Sequence, residues 1–385
     1  MASGAGKACV VGIGQTELSR NSGRSITRLA LEALFAAADD AGIAPSVIDG
    51  FVPYPDSVTA EDVIPVLGSA DVRFTAVSHM GGASSLAGLR LATLAVESGQ
   101  ADYVAVFVAR NGSSATRIDQ RVRQLTGQAY RRELEYPHGM NTPAQWYALA
   151  CRRHMHEFGT SREALGTVAL TMRENAQRNP GAQMYGRKLT MDDYLSAPVI
   201  ADPYLKYDCC LETDGAAAVI VAREDRLADS RVPGVRIEGI AEGHPDSADD
   251  IAGRWDIFDT GLTKAAPRAF GQAGLTPADV DLAYIYDCFT FEVIQQLEEA
   301  GFCGRGEGGD FVLDGNIAAG GSLPVNTHGG LLSEGHLTGM NHLVECVRQL
   351  RHQAPDGRQA ADARVAALTG WGDMGDGALA LLAKA

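Results

Sequence analysis

The sequence lacks any long apolar run. No stretch approaches the roughly 20 apolar residues that a membrane-spanning helix needs. The N-terminus, Met1–Lys7, runs into a first predicted strand without the apolar region of a signal peptide. Cysteine is also scarce: there are seven, an odd number without framework spacing, which is typical of free thiols in a reducing compartment. We therefore expect a cytoplasmic protein without a membrane span.

Basic residues are also outnumbered by acidic ones. The sequence has 33 Lys and Arg residues against 48 Asp and Glu, a formal net charge of −15 at pH 7. Because binding to nucleic acid needs a basic surface, we expect no nucleic acid partner. One local group of arginines indicates either a solvated face or contacts with ligand phosphates or an acidic partner. Its members are Arg117, Arg121, Arg123, Arg131 and Arg132.

Two common cofactor patterns are incomplete. Gly12 and Gly14 follow the first predicted strand, but the full Gly-x-Gly-x-x-Gly spacing of a dinucleotide site is absent. Cys151, His154 and His156 would scatter over different faces of a helix and have no second group of ligands beside them. We therefore expect neither an NAD site nor a metal site.

The length indicates two cores of similar size, because 385 residues exceed what one core usually supports. A helix, turn and strand unit recurs within the chain. Its turns begin at Ala41 and Ala273, 232 residues apart, and share Ala, Gly, Pro and Asp at matching places. This repeat predicts a duplicated α/β fold, with a first half at 1–231 and a second half at 232–385.

Side chains that can move protons cluster in the second half. Tyr286 and Cys288 stand at the polar end of a predicted buried strand. The glycine-rich stretch Asn326–Gly330 leads to His336, just before an apolar helix. Phenol, thiol and imidazole groups serve as general acids and bases. Strand ends and helix starts are the usual position of sites in α/β proteins, so we predict the active site here.

Three motifs of this region resemble, in order, those of the thiolase superfamily. Tyr286–Phe289 (Tyr-Asp-Cys-Phe) is similar to the His-Asp-Cys-Phe of the sterol-carrier-protein branch, Asn326–Gly330 to Asn-x-x-Gly-Gly, and Gly335–His336 to Gly-His. The resemblance covers essentially the whole chain. It implies the thiolase fold, in which two α/β halves form a five-layer αβαβα arrangement. It also implies a lid-like loop region at about 110–203 over the coenzyme A site, and a homodimer.

The nucleophile of a thiolase is missing. The family pattern at the start of the buried helix in the first half opens with cysteine, whose thiol pKa the helix N-terminus lowers. Here the aligned stretch is Gly82–Ser85, and no cysteine lies between Cys9 and Cys151. The two serines of the stretch lie too far into the helix to replace it. We interpret Gly82 as the vacated nucleophile position and expect no acyl-enzyme and no two-step thiolysis.

The groups that remain suit cleavage of a carbon–carbon bond through an acyl-CoA enolate. In this hypothesis Tyr286 takes the proton of a β-hydroxyl group and the Cα–Cβ bond breaks. His336, with Asn326 or backbone N–H groups nearby, stabilises the enolate oxygen, and Cys288 or His336 returns a proton to Cα. Tyr286 would need a cationic or hydrogen-bonding neighbour to act as a base, and His336 is the candidate.

We expect the substrate to contact three glycines, Gly329 and Gly330 in the glycine-rich loop and the vacated Gly82. His328, in the same loop, is a weaker candidate. The substrate implied by the resemblance is an acyl-CoA, so coenzyme A enters as part of the substrate and no covalently bound cofactor is expected.

The pattern without the nucleophilic cysteine, and with Tyr286 in place of His, resembles that of the lipid-transfer-protein-type aldolases, which shorten sterol side chains as CoA thioesters. That group has a second Tyr where this chain has His336. The resemblance implies a small OB-fold, zinc-ribbon protein as a partner. Two alternatives remain open. One is an acetyl-CoA acetyltransferase or thiolase-type acyltransferase using another residue, and the other is a non-catalytic, acyl-CoA-binding scaffold in a complex.

Overall fold

The structure of the protein is a computed structural model, and it describes residues 6–55, 57–118, 120, 131–246, 254–355, 357–372 and 375–385. Arg121 and Arg123 of the arginine group lie outside the described residues.

Strands and helices alternate through the first part of the chain. In order they are β1 (Ala8–Gln15), α1 (Ile26–Ala41), β2 (Gly50–Pro53), α2 (Ala60–Leu67), β3 (Phe74–Thr75), α3 (Ser84–Glu97) and β4 (Tyr103–Asn111). Helix α1 begins at Ser25, whose side chain accepts from the N–H of Arg28, and ends at Gly42 with φ +76°. Serine is a favoured N-cap residue, and glycine adopts the left-handed C-cap conformation without strain.

An insertion of mainly helical segments separates β4 from the last strand of the first half. It comprises α4 (Pro143–Phe158), α5 (Arg162–Ala176), α6 (Met191–Leu195), the two-stranded hairpin of β5 (Val199–Ala201) and β6 (Tyr204–Leu205), and then β7 (Asp214–Arg223) closes the half.

The second half repeats the alternation. It contains β8 (Val235–Gly243), α7 (Gly261–Ala273), β9 (Leu282–Tyr284), α8 (Thr290–Glu299), α9 (Gly308–Leu313), α10 (Gly330–Ser333), α11 (Met340–Leu350), β10 (Val365–Gly372) and β11 (Asp376–Lys384). Helix α7 ends at Gly274 with φ +66°, which is the counterpart of Gly42 in the repeated turn. Helix α5 of the insertion packs on α8, α9 and α10.

Nine of the described strands form one sheet in the order β3, β2, β4, β7, β1, β8, β11, β10, β9. Strands of the first half occupy one side and strands of the second half the other. The two sides join through a short antiparallel pairing of β1 with β8. The predicted boundary between residues 231 and 232 lies in the connection from β7 to β8, and it stays a prediction.

Both faces of the strands are buried by helices, so that layers of helix and sheet alternate. On β4, Val104 and Val106 face one hydrophobic core while Ala105 and Phe107 face another. Helices α1 and α2 cover the outer face of the first half, and α7 and α8 cover that of the second half. Helices α3 and α11 lie between the halves in a shared core. The predicted αβαβα arrangement is confirmed.

The glycines that suggested a dinucleotide fingerprint have a packing role. A Cβ atom on Gly12 or Gly14 would lie under 3.0 Å from backbone atoms of α1, a distance that real Cβ atoms essentially never show. Glycine at these positions therefore allows close contact between β1 and its covering helix. Within the described residues, no helix combines the length and apolar character needed to cross a membrane.

Candidate active site

Tyr286 lies just beyond β9 with only 4% of the residue exposed. Its backbone N–H donates to Thr369 Oγ1 on β10 (3.1 Å), and its carbonyl oxygen accepts from Gln296 Nε2 on α8 (2.8 Å). Strands β9 and β10 are paired in parallel as far as Tyr284, and these two hydrogen bonds hold the next backbone segment against β10 and α8. The position of the Tyr286 backbone is therefore fixed by bonds to two regular elements.

His336 follows α10 and is half-buried. Its backbone N–H donates to Thr213 Oγ1 (2.8 Å), next to the start of β7. Its Nε2 lies 3.1 Å from Tyr286 Oη, which is hydrogen-bond distance, with the two rings inclined at 72°. The structure thus brings together two of the three predicted catalytic side chains, from motifs 50 residues apart in the chain.

Gly82 faces the same phenol from the first half. A Cβ atom built on Gly82 would lie under 3.0 Å from Tyr286 Oη and Cζ, and equally close to the carbonyl oxygen of Trp371 on β10. The phenol therefore occupies the space that a side chain at position 82 would need. In this backbone arrangement a nucleophilic side chain at 82 and a tyrosine at 286 exclude each other.

The two serines after Gly82 are already engaged in hydrogen bonds. Ser84 Oγ accepts from the N–H of Met80 (2.8 Å), and Ser85 Oγ donates to the carbonyl oxygen of Thr338 (2.6 Å). Both serines are buried. These contacts hold the start of α3 in place, and among the described residues neither hydroxyl has a hydrogen bond to an imidazole that could activate it.

The phenol of Tyr286 is neutral at physiological pH. Burial raises the pKa of Tyr286 well above its ordinary value, and the nearby Tyr54 and Cys288 raise it further, whereas Arg110 lowers it by a smaller amount. Arg110 itself stacks on the ring of Tyr54 at 4.9 Å. A neutral phenol can accept a proton only if it passes its own to a neighbour. The hydrogen-bonded imidazole of His336 can be that neighbour.

Cys288 is buried and its thiol is also neutral. Burial raises the pKa of Cys288 well above its ordinary value, and the carboxylates of Glu292 and Asp287 raise it further, as does Cys210. A neutral thiol can donate a proton but is a poor nucleophile. The predicted role of Cys288 in returning a proton to the substrate is compatible with this state and stays a prediction.

Asn326 holds the backbone that leads into Tyr286. Its Oδ1 accepts from the N–H of Ile285 (2.9 Å), and its Nδ2 donates to the carbonyl oxygen of Ile285 (2.8 Å). The residue is fully buried and has φ +49°, a left-handed conformation that Asn tolerates. The amide therefore positions the end of β9. Its contact with the substrate stays a prediction.

Gly329 and Gly330 form a turn with φ values of +110° and +64°. A Cβ atom on Gly329 would lie 2.8 Å from Cβ of Ala176, and one on Gly330 would lie under 3.0 Å from the carboxylate of Asp287. Both positions thus need glycine for conformation and for space. A substrate contact at either glycine stays a prediction.

Several residues around Tyr286 and His336 were missed by the sequence analysis. Asp287 bonds to the start of α10, Thr213 holds the backbone of His336, and Trp371 contributes the carbonyl oxygen beside Gly82. The indole N–H of Trp371 has no hydrogen-bond partner among the described residues. The glycines that flank Trp371 were the available signal, because they indicate a close backbone approach.

Among the described arginines of the local group, Arg117 forms an ion pair with Glu212 and is largely exposed. Arg131 is buried and stacks on the ring of Trp146 at 4.5 Å. Arg132 is exposed. Contacts of these side chains with ligand phosphates stay a prediction.

The possible metal ligands on α4 are only partly separated, because Cys151 and His154 are both buried whereas His156 is exposed. His154 is buried, with Nδ1 2.7 Å from Thr160 Oγ1 and Nε2 3.1 Å from Glu298 Oε2, whereas His156 is exposed. Cys151 is buried in the hydrophobic core. In the part of the chain that the structure describes, no group of three or more His, Cys, Asp or Glu side chains could hold a metal ion.

Glu292 is a buried acid that contacts, through Tyr204, the segment that follows Tyr286. It is fully buried on α8, accepts a hydrogen bond from the Tyr204 hydroxyl (2.9 Å), and its pKa is raised to about 8 by burial. Tyr204 belongs to the insertion hairpin and stacks on Phe289 at 5.0 Å. This contact therefore ties the insertion to the segment that carries Tyr286 and Cys288.

We expect the substitution Glu292→Gln to reduce the loss of folding stability at high pH. The ordinary glutamate pKa is 4.5 and the folded value is about 8, so the folded state binds more protons than the unfolded state between these values. The stability contributed by the neutral group is complete below pH 4.5 and is lost as pH rises through 8. A glutamine stays neutral and can still accept from Tyr204. Melting temperatures measured from about pH 5 to 9 should fall less steeply for this variant.

The control for this measurement is Glu174→Gln, which makes the same chemical change at an exposed ion pair with Arg178. Its pH dependence should match that of the wild type. Parallel curves for Glu292→Gln and wild type would contradict the assignment of a neutral, buried acid.

The fold and the site together define a thiolase-like protein that lacks the nucleophilic cysteine. The family described as Thiolase C-terminal domain-like matches residues 243–384. The 17-hydroxy-3-oxo-4-pregnene-20-carboxyl-CoA lyase of Mycobacterium tuberculosis is 41% identical over 355 residues, which is 90% of this chain and 92% of the relative. A steroid side-chain-cleaving aldolase of Thermomonospora curvata is 39% identical, covering 90% of each chain.

Among solved structures, that of an Ltp2-ChsH2(DUF35) aldolase superposes with a TM-score of 0.93 and 36% identity, covering 98% of both chains. The chain therefore belongs to the thiolase superfamily, and within it to the aldolases related to the thiolase of sterol carrier protein 2. The predicted family and the predicted fold are both confirmed.

Proposed function

We propose that the protein is a CoA-thioester aldolase that cleaves a β-hydroxyacyl-CoA by a retro-aldol reaction, with a steroid side chain as the acyl portion. One observation carries the chemistry: the phenol of Tyr286 stands where a side chain at position 82 would be and is hydrogen-bonded to His336. The acyl portion is inferred from the activities for which the relatives from Mycobacterium tuberculosis and Thermomonospora curvata are named.

In the proposed reaction the β-hydroxyl proton moves to Tyr286 Oη as the phenol proton moves to His336 Nε2. This relay avoids a phenolate, whose formation burial opposes. The Cα–Cβ bond then breaks, Cβ becomes the carbonyl carbon of the released ketone, and the bonding electrons form the enolate of the shortened acyl-CoA. The imidazolium of His336 then returns its proton to Cα, or the neutral thiol of Cys288 gives its proton to Cα and is reprotonated by the imidazolium, so that the reaction is completed without any co-reactant.

The arrangement favours the aldolase over the acyltransferase. An acyl-transfer route needs a nucleophile within reach of an activating base. Both Ser84 and Ser85 are committed to backbone hydrogen bonds, and the thiol of Cys288 is neutral. A retro-aldol reaction needs only the acid-base pair and stabilisation of the enolate. The same pair argues against the non-catalytic scaffold, because ligand binding alone does not require a buried phenol–imidazole hydrogen bond.

The proposed partners are a second copy of the chain and a small OB-fold, zinc-ribbon protein. The second copy is supported by β3, which is the edge of the nine-stranded sheet and is followed by the half-exposed Val77. An open edge strand is a template for pairing with another chain. The protein partner is supported by the similar solved structure, whose name sets ChsH2(DUF35) beside Ltp2.

All seven cysteines are free thiols, which supports a cytoplasmic location.

The test is a screen of CoA esters by mass spectrometry, using the purified chain alone and with the candidate partner. We expect a β-hydroxyacyl-CoA to yield a ketone and a shortened acyl-CoA without consumption of free CoA. CoA-dependent cleavage of a 3-ketoacyl-CoA, or a covalent acyl adduct on the chain, would instead support the acyltransferase. Tight binding of acyl-CoA without turnover, with the partner present, would support the scaffold.

A further inference from the structure

A single buried carboxylate joins the two segments that carry the catalytic pair. Asp287 directly follows Tyr286 and has no exposed surface. Its Oδ1 accepts from the N–H of Leu331 (2.8 Å) and its Oδ2 from the N–H of Leu332 (3.1 Å), both at the start of α10. Helix α10 leads directly to His336. The side chain of one catalytic segment is thus bonded to the backbone of the other.

The space around this carboxylate is closely filled. Gly330 has φ +64°, and a Cβ atom there would lie under 3.0 Å from Asp287 Oδ2. The backbone at the start of α10 therefore lies too close to Asp287 for any residue other than glycine at position 330. A shift of the carboxylate would move α10, and with it the backbone of His336.

Two buried histidines complete the contact network. His342 on α11 places Nε2 3.1 Å from Asp287 Oδ1 and also 3.1 Å from the carbonyl oxygen of Ile285. Its Nδ1 lies 3.0 Å from Nε2 of His328. Both imidazoles are at most 1% exposed. The two histidines thus form a hydrogen-bonded line that ends at the carboxylate.

The neighbours assign the proton on each ring. His342 Nε2 faces two acceptors, Asp287 Oδ1 and the Ile285 carbonyl, so this nitrogen carries the hydrogen. Its Nδ1 then accepts from Nε2–H of His328. Burial and His342 lower the pKa of His328 well below its ordinary value, which agrees with a neutral ring. The line runs from His328 through His342 to Asp287, with each ring donating toward the carboxylate.

We propose that Asp287 is a positioning residue for the reaction, oriented by His342, and that it sets the separation of the Tyr286 phenol from the His336 imidazole. The inference rests on the proposed function for its kinetic effect. The relay needs the two atoms at hydrogen-bond distance, and they lie 3.1 Å apart. A displacement of α10 by a fraction of an ångström would lengthen this bond while leaving substrate-binding surfaces elsewhere unchanged.

The first test replaces the carboxylate with an amide. In Asp287→Asn only one of the two side-chain atoms can accept, so one N–H of α10 loses its partner. We expect kcat for the β-hydroxyacyl-CoA to fall by about 10-fold to 100-fold, the effect usual for residues that orient a catalytic group, while KM changes by less than about threefold.

The matched control is Asp49→Asn. Asp49 is also buried and accepts from the N–H groups of Asp102 and Tyr103, at the start of β4. It should lower the melting temperature and leave kcat unchanged.

The second test uses His342, in case Asp287→Asn does not fold. In His342→Gln the amide can still donate toward Asp287 and accept from His328, whereas His342→Leu can do neither. We expect the glutamine variant to keep most of the wild-type kcat and the leucine variant to lose it by the same factor as Asp287→Asn. Equal activity of the two His342 variants, or an equal loss of kcat in Asp49→Asn, would overturn the proposal.

A third readout does not depend on turnover. The ¹⁵N resonance of His336 Nε2, assigned with a His336→Gln sample, reports its hydrogen bond to Tyr286. We expect it to shift in Asp287→Asn and to stay in place in Asp49→Asn. If the wild type cleaves no β-hydroxyacyl-CoA, the proposed function fails, but this spectrum still decides whether Asp287 positions the pair. An unchanged His336 resonance in a folded Asp287→Asn protein would overturn the inference.

Discussion

Replacement of Tyr286 by phenylalanine is expected to lower kcat/KM for β-hydroxyacyl-CoA cleavage by about 10²-fold to 10⁴-fold, the range typical for loss of a general acid-base group. The change removes one oxygen and keeps the aromatic ring that faces Gly82. It leaves the backbone bonds to Thr369 and Gln296 intact. The expected loss is therefore chemical rather than structural, because no group remains to take the β-hydroxyl proton and pass it to His336.

The matched control for this substitution is Tyr284→Phe, two residues earlier. Tyr284 is fully buried on β9, and its hydroxyl lies 3.2 Å from Thr327 Oγ1 rather than beside His336. It should lose some stability and keep its kcat. Measurements of initial rate by release of the shortened acyl-CoA distinguish the two variants. Equal rates for Tyr286→Phe and wild type would remove Tyr286 from the mechanism.

The pairing of Tyr286 with His336 was within reach of the sequence because both lie in ordered motifs. The strand end at 286 and the glycine-rich approach to 336 are local patterns, and their order along the chain indicated one site. The duplicated turns at Ala41 and Ala273 likewise predicted the two halves, since a repeat preserves helix caps such as Gly42. Local periodicity and capping therefore account for the fold and for the principal pair.

The contact between Gly82 and Tyr286 could not be predicted from the sequence. The two residues belong to different halves, and a missing cysteine indicates an empty position without indicating what fills it. Only the packing of β10 against the turn before α3 shows that a phenol takes that space. The same limit applies to Asp287. The sequence does not show what an aspartate bonds to, and the hydrogen-bond partners of Asp287 lie 44, 45 and 55 residues away.

The interpretation of Asn326 illustrates a further limit. Its place in the glycine-rich loop predicts a contact with the substrate, which stays a prediction, whereas the structure adds hydrogen bonds between both of its polar atoms and the backbone of Ile285. A short polar side chain in a turn often hydrogen-bonds to backbone groups. Both interpretations use the same residue in the same motif, so three-dimensional contacts are needed to separate them.

Introduction of a thiol by Gly82→Cys is expected to lower aldolase activity on the order of 10²-fold without creating thiolase activity. The new Cβ atom would overlap the Tyr286 phenol and the carbonyl oxygen of Trp371. Overpacking of this kind costs about 1–3 kcal/mol of folding stability. A misplacement of about 1 Å in the catalytic pair lowers activity on the order of 10²-fold. Gly271→Ala is the control, since a Cβ there meets no atom within 4 Å.

The double variant Gly82→Cys with Tyr286→His separates the two causes of the clash. It removes the phenol and restores the histidine of the related sterol-carrier-protein motif, but the backbone carbonyl of Trp371 still crowds position 82. We therefore expect mass spectrometry to find no acyl adduct on the double variant after incubation with a 3-ketoacyl-CoA. An adduct on the introduced thiol would mean that the turn before α3 moves easily and that Tyr286 alone excludes the nucleophile. The absence of an adduct would mean that the backbone of β10, as well as the Tyr286 side chain, excludes a nucleophile at position 82.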